Sequence, residues 1–229
     1  MNKPYITCHM VTSIDGKVTG DFLSHPGCEK ATEIYYQIHR DAKADGFICG
    51  RITMESSFTK GWYPDLSDYA PIVSKEDFVP ACLSPFYAVA FDPKGRLGWQ
   101  APYISDEDPG YDNARVVEVL TTQADGRYLA YLRKLNIPYI FAGEDSIHVP
   151  VALEKLHRLF GAAHLLLEGG SIVNGSFLRA GMVDALSLVV APIVADQEAL
   201  PLFDQACLQD FRLERGEIQD QVWVVRYQC

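Results

Sequence analysis

Residues 165–194, LLLEGGSIVNGSFLRAGMVDALSLVVAPIV, carry the pattern that decides the fold. A short apolar run ends at a pair of glycines, a helix-compatible stretch follows, and a second apolar run rich in leucine and valine comes after it. Short apolar runs bounded by glycine favour buried strands, and the order strand, helix, strand is typical of a crossover unit on a parallel sheet. The segment therefore predicts an α/β protein.

The same alternation extends through the rest of the chain. A first strand covers residues 5–14 and ends at the turn dipeptide Asp15-Gly16, after which a second short strand is expected. The apolar spacing predicts helices over 29–40, 127–135, 149–161 and 171–181, with a further helix starting at 51. Strands are predicted at 46–50, 87–92, 115–122, 138–143, 164–170 and 186–194. Alternation in residues 211–228 predicts an antiparallel hairpin. The expected architecture is a mostly parallel mixed sheet flanked by helices, with a C-terminal antiparallel hairpin, in a single domain over residues 1–229.

The composition excludes several classes of function. A formal net charge of −10 repels nucleic acid and anionic lipid, so an anionic ligand needs local donors. No run of apolar residues is long enough for a membrane span, and the first residues do not resemble a signal peptide. The 6 cysteines form no CxxC pair and the 6 histidines no HExxH pattern, so no metal is expected, and reduced thiols in the cytoplasm are the preferred interpretation.

Three predicted strands end at junctions suited to an anionic cofactor: GFICGRIT, EVLTTQ and LLLEGGSIVNGS. Ligands of open α/β sheets collect at the carboxyl ends of strands, so these junctions are expected to share one cleft. Gly169 and Gly170 let a ligand approach the backbone closely, and the helix that starts after them presents free N–H groups to a phosphate. At the second helix start, Arg51 offers a guanidinium and Thr53 a hydroxyl to a phosphate. A plain turn at the glycines, and a capped helix with an exposed arginine, remain open alternatives.

Three motifs carry a resemblance to known proteins. CGRITMESSF resembles the MGRxTWES segment of dihydrofolate reductases, and MVTSIDGKVT is similar to a SLDGKIA motif. Residues 165–194 resemble the VEGGxxLxGxxLRAGLVDELxLxxAP segment of the riboflavin-biosynthesis reductase family. The motifs occur in family order, and the resemblance spans residues 5–227. It implies a dihydrofolate-reductase-like fold.

The resemblance also implies an activity and a set of site residues. The family members are homodimeric, NADPH-dependent reductases of a phosphoribosylaminopyrimidine. The residues implied to face nicotinamide and substrate, with catalytic roles for the last three, are Ser13, Asp15, Lys17 and Glu168. The residues implied to bind the cofactor are Gly50, Arg51, Thr53, Thr121, Thr122, Gly169, Gly170, Ser171 and Ile172. From the residues alone, Lys17 also fits a solvated turn lysine and Asp15 a turn-former.

The chain departs from the family at one substrate motif. FTKGWYPDLSDYAP stands where the family has DNPxLTxR, and no PCxxC deaminase motif is present, so the chain resembles a stand-alone reductase of a pyrimidine- or pterin-type substrate. A non-catalytic NADP(H)- or nucleotide-binding module is the alternative, and a purely structural dimer is a third hypothesis.

Two long loops and two strand segments complete the predictions. Residues 59–83 and 104–114 are candidate lids. The aromatic residues Trp62, Tyr63, Tyr69 and Trp99 are interpreted either as stacking on a heterocycle or as pinning the loops to the body. Residues 186–194 and 221–227 form the candidate dimer interface.

Overall fold

The computed structural model describes residues 2–81 and 84–229. The chain forms two compact units from alternating stretches of sequence. The central unit consists of Ala44–Ala163 with Met1–Pro4, and the flanking unit consists of Tyr5–Lys43 and His164–Cys229.

The predicted helices are present, and so are the predicted strands apart from the short one expected after Asp15-Gly16; most strands are shorter than predicted. In chain order, the strands of the described residues are β1 (Tyr5–Thr12), β2 (Gly46–Gly50), β3 (Tyr87–Phe91), β4 (Arg115–Leu120), β5 (Tyr139–Phe141), β6 (His164–Leu167), β7 (Ala185–Val190), β8 (Arg212–Gln219) and β9 (Val222–Gln228). The α-helices of the same residues are α1 (Glu29–Asp41), α2 (Arg51–Met54), α3 (Gly126–Lys134), α4 (Val149–Phe160) and α5 (Ser171–Arg179).

The central unit contains parallel strands in the order β5-β4-β3-β2. β2 and β3 are buried along their whole length, which explains their continuous apolar sequences. Asp125 caps the start of α3, where its carboxylate accepts the N–H of Arg127, and Gly161 with φ +71° caps the end of α4. These local signals are the ones that sequence patterns predict for helix ends.

The flanking unit has the strand order β6-β1-β7-β9-β8. β1 is parallel to both β6 and β7, whereas β9 is antiparallel to β7 and β8, so the predicted C-terminal hairpin is confirmed. α1 covers one face of these strands. Its residues Ile34, Tyr35 and Ile38 pack on a buried cluster that includes Val189 and Val222.

The opposite face of β7, β9 and β8 is apolar and open in this chain. Ile218 pairs with Trp223, and Trp223 pairs with Val190, so these side chains share one face of the sheet. Ile218 is 73% exposed, Trp223 55% and Leu213 58%. We call this surface the C-terminal apolar face.

One local prediction is wrong. The expected second strand after Asp15-Gly16 is reduced to a single bridge between Lys17 and Pro201. The helix predicted to start at residue 51 is confirmed. It has four residues and continues as a π-helical turn, Glu55–Thr59, which stops at Lys60 with φ +52°.

The long loop of residues 59–83 is held against the central unit where it is described; residues 82 and 83 lie outside the described residues. The N–H of Ile72 donates to O of Gly126 at 3.0 Å, and the ring of Tyr69 meets that of Tyr131 edge-on. Tyr63 stacks on Tyr128 at 6.2 Å between ring centroids. Tyr63 and Tyr69 therefore attach this loop to the body of the unit.

The cysteines at positions 8, 28, 49, 207 and 229 form no disulfide, and Cys82 lies outside the described residues. In the part of the chain that the structure describes, no helix is both long and apolar enough to cross a membrane.

Candidate active site

The turn after β1 carries three of the four residues predicted to face the substrate. The hydroxyl of buried Ser13 donates to Oδ1 of Asp15 at 2.7 Å and accepts the N–H of Lys17 at 2.9 Å. The N–H of Ser13 donates to O of Lys17 at 3.0 Å. Gly16, with φ +75°, supplies the left-handed residue that this closed turn needs.

The carboxylate of Asp15 faces solvent and is ionised. Its Oδ1 accepts the N–H of Ala195 at 3.0 Å in addition to the hydroxyl of Ser13. These two donors hold the pKa of Asp15 below its ordinary value of 3.8, because both stabilise the charged form. Asp15 is therefore a hydrogen-bond acceptor at neutral pH and not a proton donor.

Lys17 brings a positive charge to the same turn. Its Nζ donates to O of Ala199 at 3.0 Å, and the side chain is partly exposed. An ammonium group has three donors, so two remain for a ligand.

A loop after β7 joins this turn to the start of α5. The N–H of Leu202 donates to O of Gly16 at 3.0 Å, while the hydroxyl of Ser171 donates to O of Pro201 at 2.5 Å. The side-chain amide of Asn174 donates to O of Leu202 at 3.1 Å. The structure thus brings the turn after β1 and the start of α5 into one cluster of the flanking unit.

Gly169 and Gly170 connect β6 to α5. Gly169 has φ +95°, a conformation that favours glycine, and the peptide bond between the two glycines is cis. The N–H of Asn174 donates to O of Gly170 at 3.0 Å and forms the first bond of the helix. The N–H groups of residues 171–173 precede that bond and point out of the helix, which is the arrangement that binds phosphate.

Ser171 and Ile172 were predicted to hold a pyrophosphate, and their side chains do not suit that role. The hydroxyl of Ser171 is engaged with Pro201, and the Ile172 side chain is 57% exposed. Only their N–H groups fit the predicted contact with a pyrophosphate.

Glu168 is buried against α1. Its Oε1 lies 2.6 Å from Nδ1 of His39, and the two side chains are 2% and 1% exposed. Burial lowers the pKa of nearby His9, and the charge of Glu168 opposes that effect. Burial also raises the pKa of the Cys8 thiol, and there the charge of Glu168 adds to the effect. The contact fixes the orientation of Glu168 from inside the flanking unit.

The GRIT junction lies in the central unit. Gly50 precedes α2 with an extended backbone and no capping side chain. Nη1 of Arg51 donates to Oε2 of Glu55 at 2.7 Å, and the Arg51 side chain is 29% exposed. Thr53 is partly exposed on the same short helix. Arg51 therefore keeps further guanidinium donors that a phosphate can use.

The two threonines after β4 differ in their surroundings. Thr121 is fully buried, and its hydroxyl donates to O of Pro93 at 2.6 Å. Thr122 is partly exposed, and its N–H donates to O of Gly143 at 3.1 Å. Thr121 thus ties β4 to the turn after β3, and Thr122 is the threonine that solvent reaches.

Comparison with known proteins places the chain in a family. The model of the RibD C-terminal domain family matches residues 4–223. The chain belongs to the RibD C-terminal domain family. The resemblance to riboflavin-biosynthesis reductases predicted from the sequence is confirmed by this match.

Two curated relatives are named 2,5-diamino-6-ribosylamino-4(3H)-pyrimidinone 5′-phosphate reductase. The protein from Aquifex aeolicus is 25% identical over 208 residues, which cover 88% of this chain and 82% of the relative. The protein from Methanothermobacter thermautotrophicus is 36% identical over 94 residues, which cover 41% of this chain and 43% of the relative. With the latter, the chain therefore aligns over less than half of the relative's length.

A solved structure supports the fold of this RibD C-terminal domain. A pyrimidine reductase-like protein from Corynebacterium diphtheriae matches with a TM-score of 0.67 at 20% identity, over 99% of this chain and 92% of that chain. The predicted dihydrofolate-reductase-like α/β fold is confirmed. The names of the curated relatives support a reductase over the alternative of a non-catalytic binding module.

Two buried polar residues of this RibD C-terminal domain were not predicted from the sequence. His39 follows Tyr35 by one helical turn, so a histidine beside the apolar stripe of α1 was an available signal. Glu118 interrupts the buried run RVVEVL, and a charged residue within such a run also marks an unusual site. Both side chains are buried.

Proposed function

We propose that the chain is an NADPH-dependent reductase that transfers a hydride to a ribosylaminopyrimidine 5′-phosphate or a related pyrimidine- or pterin-type heterocycle. The observation that carries this proposal is the cluster in which an ionised Asp15, the ammonium of Lys17 and the open start of α5 are joined by one loop. Membership of a family whose curated relatives are named pyrimidinone phosphate reductases supports it.

The residues present fit a nicotinamide dinucleotide. The N–H groups of residues 171–173 hold a pyrophosphate, and Gly169 and Gly170 add no side chain in its way. In this proposal Arg51 holds the 2′-phosphate that distinguishes NADPH from NADH, because a guanidinium forms paired bonds to phosphate oxygens. Gly50, Thr53, Thr121 and Thr122 complete the proposed cofactor residues. The bound cofactor supplies the hydride.

The flanking unit's turn is proposed to bind the substrate. Lys17 directs its two remaining donors to an anionic or carbonyl oxygen of the heterocycle, and Asp15 accepts from a ring or amino N–H. Ser13 acts through its bonds to Asp15 and Lys17, which hold both side chains in place. Glu168, whose orientation is fixed by its contact with His39, provides a polar group directly before the paired glycines.

The phosphate of such a substrate needs partners other than those of the family motif. Residues 58–71 replace DNPxLTxR, and in this segment the hydroxyl of Tyr63 donates to O of Gly95 at 3.0 Å. The proposal therefore includes substrates without the ribosyl phosphate. The substrate assay must test heterocycles that carry this group and heterocycles that lack it.

The proposed enzyme is a homodimer made of single-domain subunits. The C-terminal apolar face supports the dimer, because it leaves Ile218 and Trp223 more than half exposed, and large open apolar patches mark contact surfaces. The proposed compartment is the cytoplasm, where the unbridged cysteines of the described residues stay reduced.

The proposal is tested by cofactor binding and turnover. NADPH and NADH are titrated separately while energy transfer from tryptophan to nicotinamide is recorded, and candidate substrates are then screened by loss of nicotinamide absorbance. We expect tighter binding of NADPH than of NADH and turnover of a pyrimidine substrate. Absence of binding by both cofactors at millimolar concentration would overturn the proposal.

A further inference from the structure

Two carboxyl groups are buried beside each other in the central unit. Asp92 follows β3 directly, Glu118 lies within β4, and both are 0% exposed. Ala90 of β3 pairs with Glu118. Because side chains alternate along a strand, position 92 faces the same side of the sheet as Glu118. The two carboxyl groups are thus diagonal neighbours on one face.

Asp92 organises the turn that follows β3. Its Oδ2 accepts the N–H groups of Arg96 and Leu97, the latter at 2.8 Å. Its main-chain O accepts the N–H of Gly95 at 3.1 Å. These bonds shape the turn of residues 93–97, which carries the exposed side chains of Lys94 and Arg96.

Glu118 is bonded on one oxygen only. Its Oε1 accepts the indole N–H of Trp99 and lies 3.3 Å from the hydroxyl of Tyr128, which also donates to O of Leu97 at 2.8 Å. Among the described residues, neither Oε2 of Glu118 nor Oδ1 of Asp92 has a hydrogen-bond partner. Each carboxyl group therefore has one oxygen bonded to the protein and one buried oxygen that is not.

Two ionised carboxylates are unfavourable in this arrangement. A buried charge without a partner is strongly penalised, and neighbouring carboxyl groups resist losing both protons. Burial raises the pKa of Glu118, and the charge of Asp92 raises it further. Burial also raises the pKa of Asp92, although the N–H groups of Arg96 and Leu97 and the charge of Arg51 act against it.

The other titratable groups around the pair do not neutralise it. Burial raises the pKa values of Tyr63, Tyr128 and Tyr131, so these hydroxyls stay neutral. Arg51 attracts Asp92 electrostatically, yet its guanidinium is bonded to Glu55 at 2.7 Å. Across the described ranges 2–81 and 84–229, neither carboxyl group has an ion-pair partner within bonding distance.

We infer that Asp92 and Glu118 retain a proton between them at neutral pH, and that Asp92 in this pair is a positioning residue for the turn of residues 93–97. The effect on cofactor binding rests on the proposed function. The hydroxyl of Thr121 donates to O of Pro93 in this turn, and Gly50, which precedes Arg51, pairs with Phe91, which precedes Asp92. Amides at these positions imitate the protonated acids, so Asp92→Asn and Glu118→Gln preserve the fold.

Infrared spectroscopy tests the proton on the folded wild-type protein. We expect a carboxylic-acid C=O band at neutral pH that is lost in the Asp92→Asn, Glu118→Gln double variant and is retained in Glu144→Gln, which changes an exposed carboxylate. If the wild type and the double variant have identical spectra at the position of the carboxylic-acid C=O band, the inference is overturned.

The pH dependence of unfolding tests it independently. A carboxyl group that keeps its proton when folded and releases it when unfolded makes stability fall as pH rises above the ordinary carboxyl pKa of about 4. We expect wild-type unfolding near neutral pH to release about one proton from the pair. Glu118→Gln should reduce this slope, and Glu144→Gln should not. Equal slopes for the wild type and Glu118→Gln contradict the inference.

Cofactor kinetics test the positioning role. Asp92→Ala removes the acceptor for the turn and should raise KM for NADPH about tenfold with little change in kcat, whereas Asp92→Asn should restore KM. Equal KM values for all three proteins would refute that role. If the wild type binds neither NADPH nor NADH, the proposed function fails, while the infrared and unfolding experiments still decide whether the pair holds a proton.

Discussion

Nδ1 of His39 and Oε1 of Glu168 are 2.6 Å apart in the interior of the flanking unit. The contact joins α1 to the residue that precedes the paired glycines. Both side chains are buried, so their contact contributes to the stability of the unit. Because Glu168 precedes the glycines, the same contact also fixes the backbone at the candidate site.

Replacement of His39 by alanine should destabilise the protein strongly. The change removes the ring nitrogen that contacts Oε1 of buried Glu168, and breaking a buried pair from one side costs about 3–5 kcal/mol. Urea unfolding with a fitted m-value measures the loss. His148→Ala is the matched control, because His148 is exposed, and its effect should stay within about 0.5 kcal/mol. Equal effects of the two substitutions would contradict the role of the pair.

Replacement of Lys17 by methionine should reduce turnover and leave cofactor binding unchanged. The variant keeps a similar side-chain length but loses the charged donors, and a hydrogen bond to a charged group contributes about 1.5–3 kcal/mol. This corresponds to a fall in kcat/KM of about 10- to 150-fold. Steady-state kinetics and NADPH titration separate the two effects. Lys30→Met, on the exposed side of α1, serves as control, and a comparable loss of activity there would argue against Lys17.

Replacement of Gly169 by alanine should lower both stability and cofactor affinity. Its φ of +95° is unfavourable for any residue with a Cβ, and this strain costs about 1–2 kcal/mol. An added Cβ would also lie 3.1 Å from Cε of Met10. Thermal unfolding and NADPH titration measure the two losses. Gly216→Ala is the control, because an added Cβ there meets nothing within 4 Å.

Replacement of Ile218 by aspartate should dissociate the proposed dimer. Ile218 is 73% exposed on the C-terminal apolar face, and a charge there must be buried if two copies pair through this surface. Sedimentation at micromolar concentration should show a dimer for the wild type and a monomer for Ile218→Asp. Leu208→Asp is matched in chemistry, because Leu208 is 100% exposed outside the strands, and it should remain dimeric. A monomeric wild type would remove the dimer from the proposal.

Much of the fold follows from local pattern. Glycine-bounded apolar runs identified β2 and β6, and the spacing of Ile34, Tyr35 and Ile38 identified α1 with its buried face. The predicted strand 164–170 was too long because the backbone leaves the ladder at Leu167, before the polar residue and the glycines. Strand ends depend on where the neighbouring strand stops pairing, and the sequence of one strand does not contain that information.

The candidate site was predictable in part. The motif SIDGK marked the turn of Ser13, Asp15 and Lys17, but the partners that fix this turn, Ala195 and Ala199, lie about 180 residues further along the chain. Such long-range bonds are set by tertiary packing, for which no local pattern exists. The buried role of Thr121 was missed for the same reason, since its acceptor belongs to the turn after β3.

The division of the flanking unit between two stretches of sequence constrains the order in which the chain acquires structure. The N–H of Ile6 is bonded to a carboxylate oxygen of Asp184, 178 positions away, and β1 has neighbours only in β6 and β7 within that unit. During synthesis β1 must therefore wait until β6 and β7 have left the ribosome. Contacts of such separation slow folding, and the apolar first strand is the segment that a chaperone would shield in the interval.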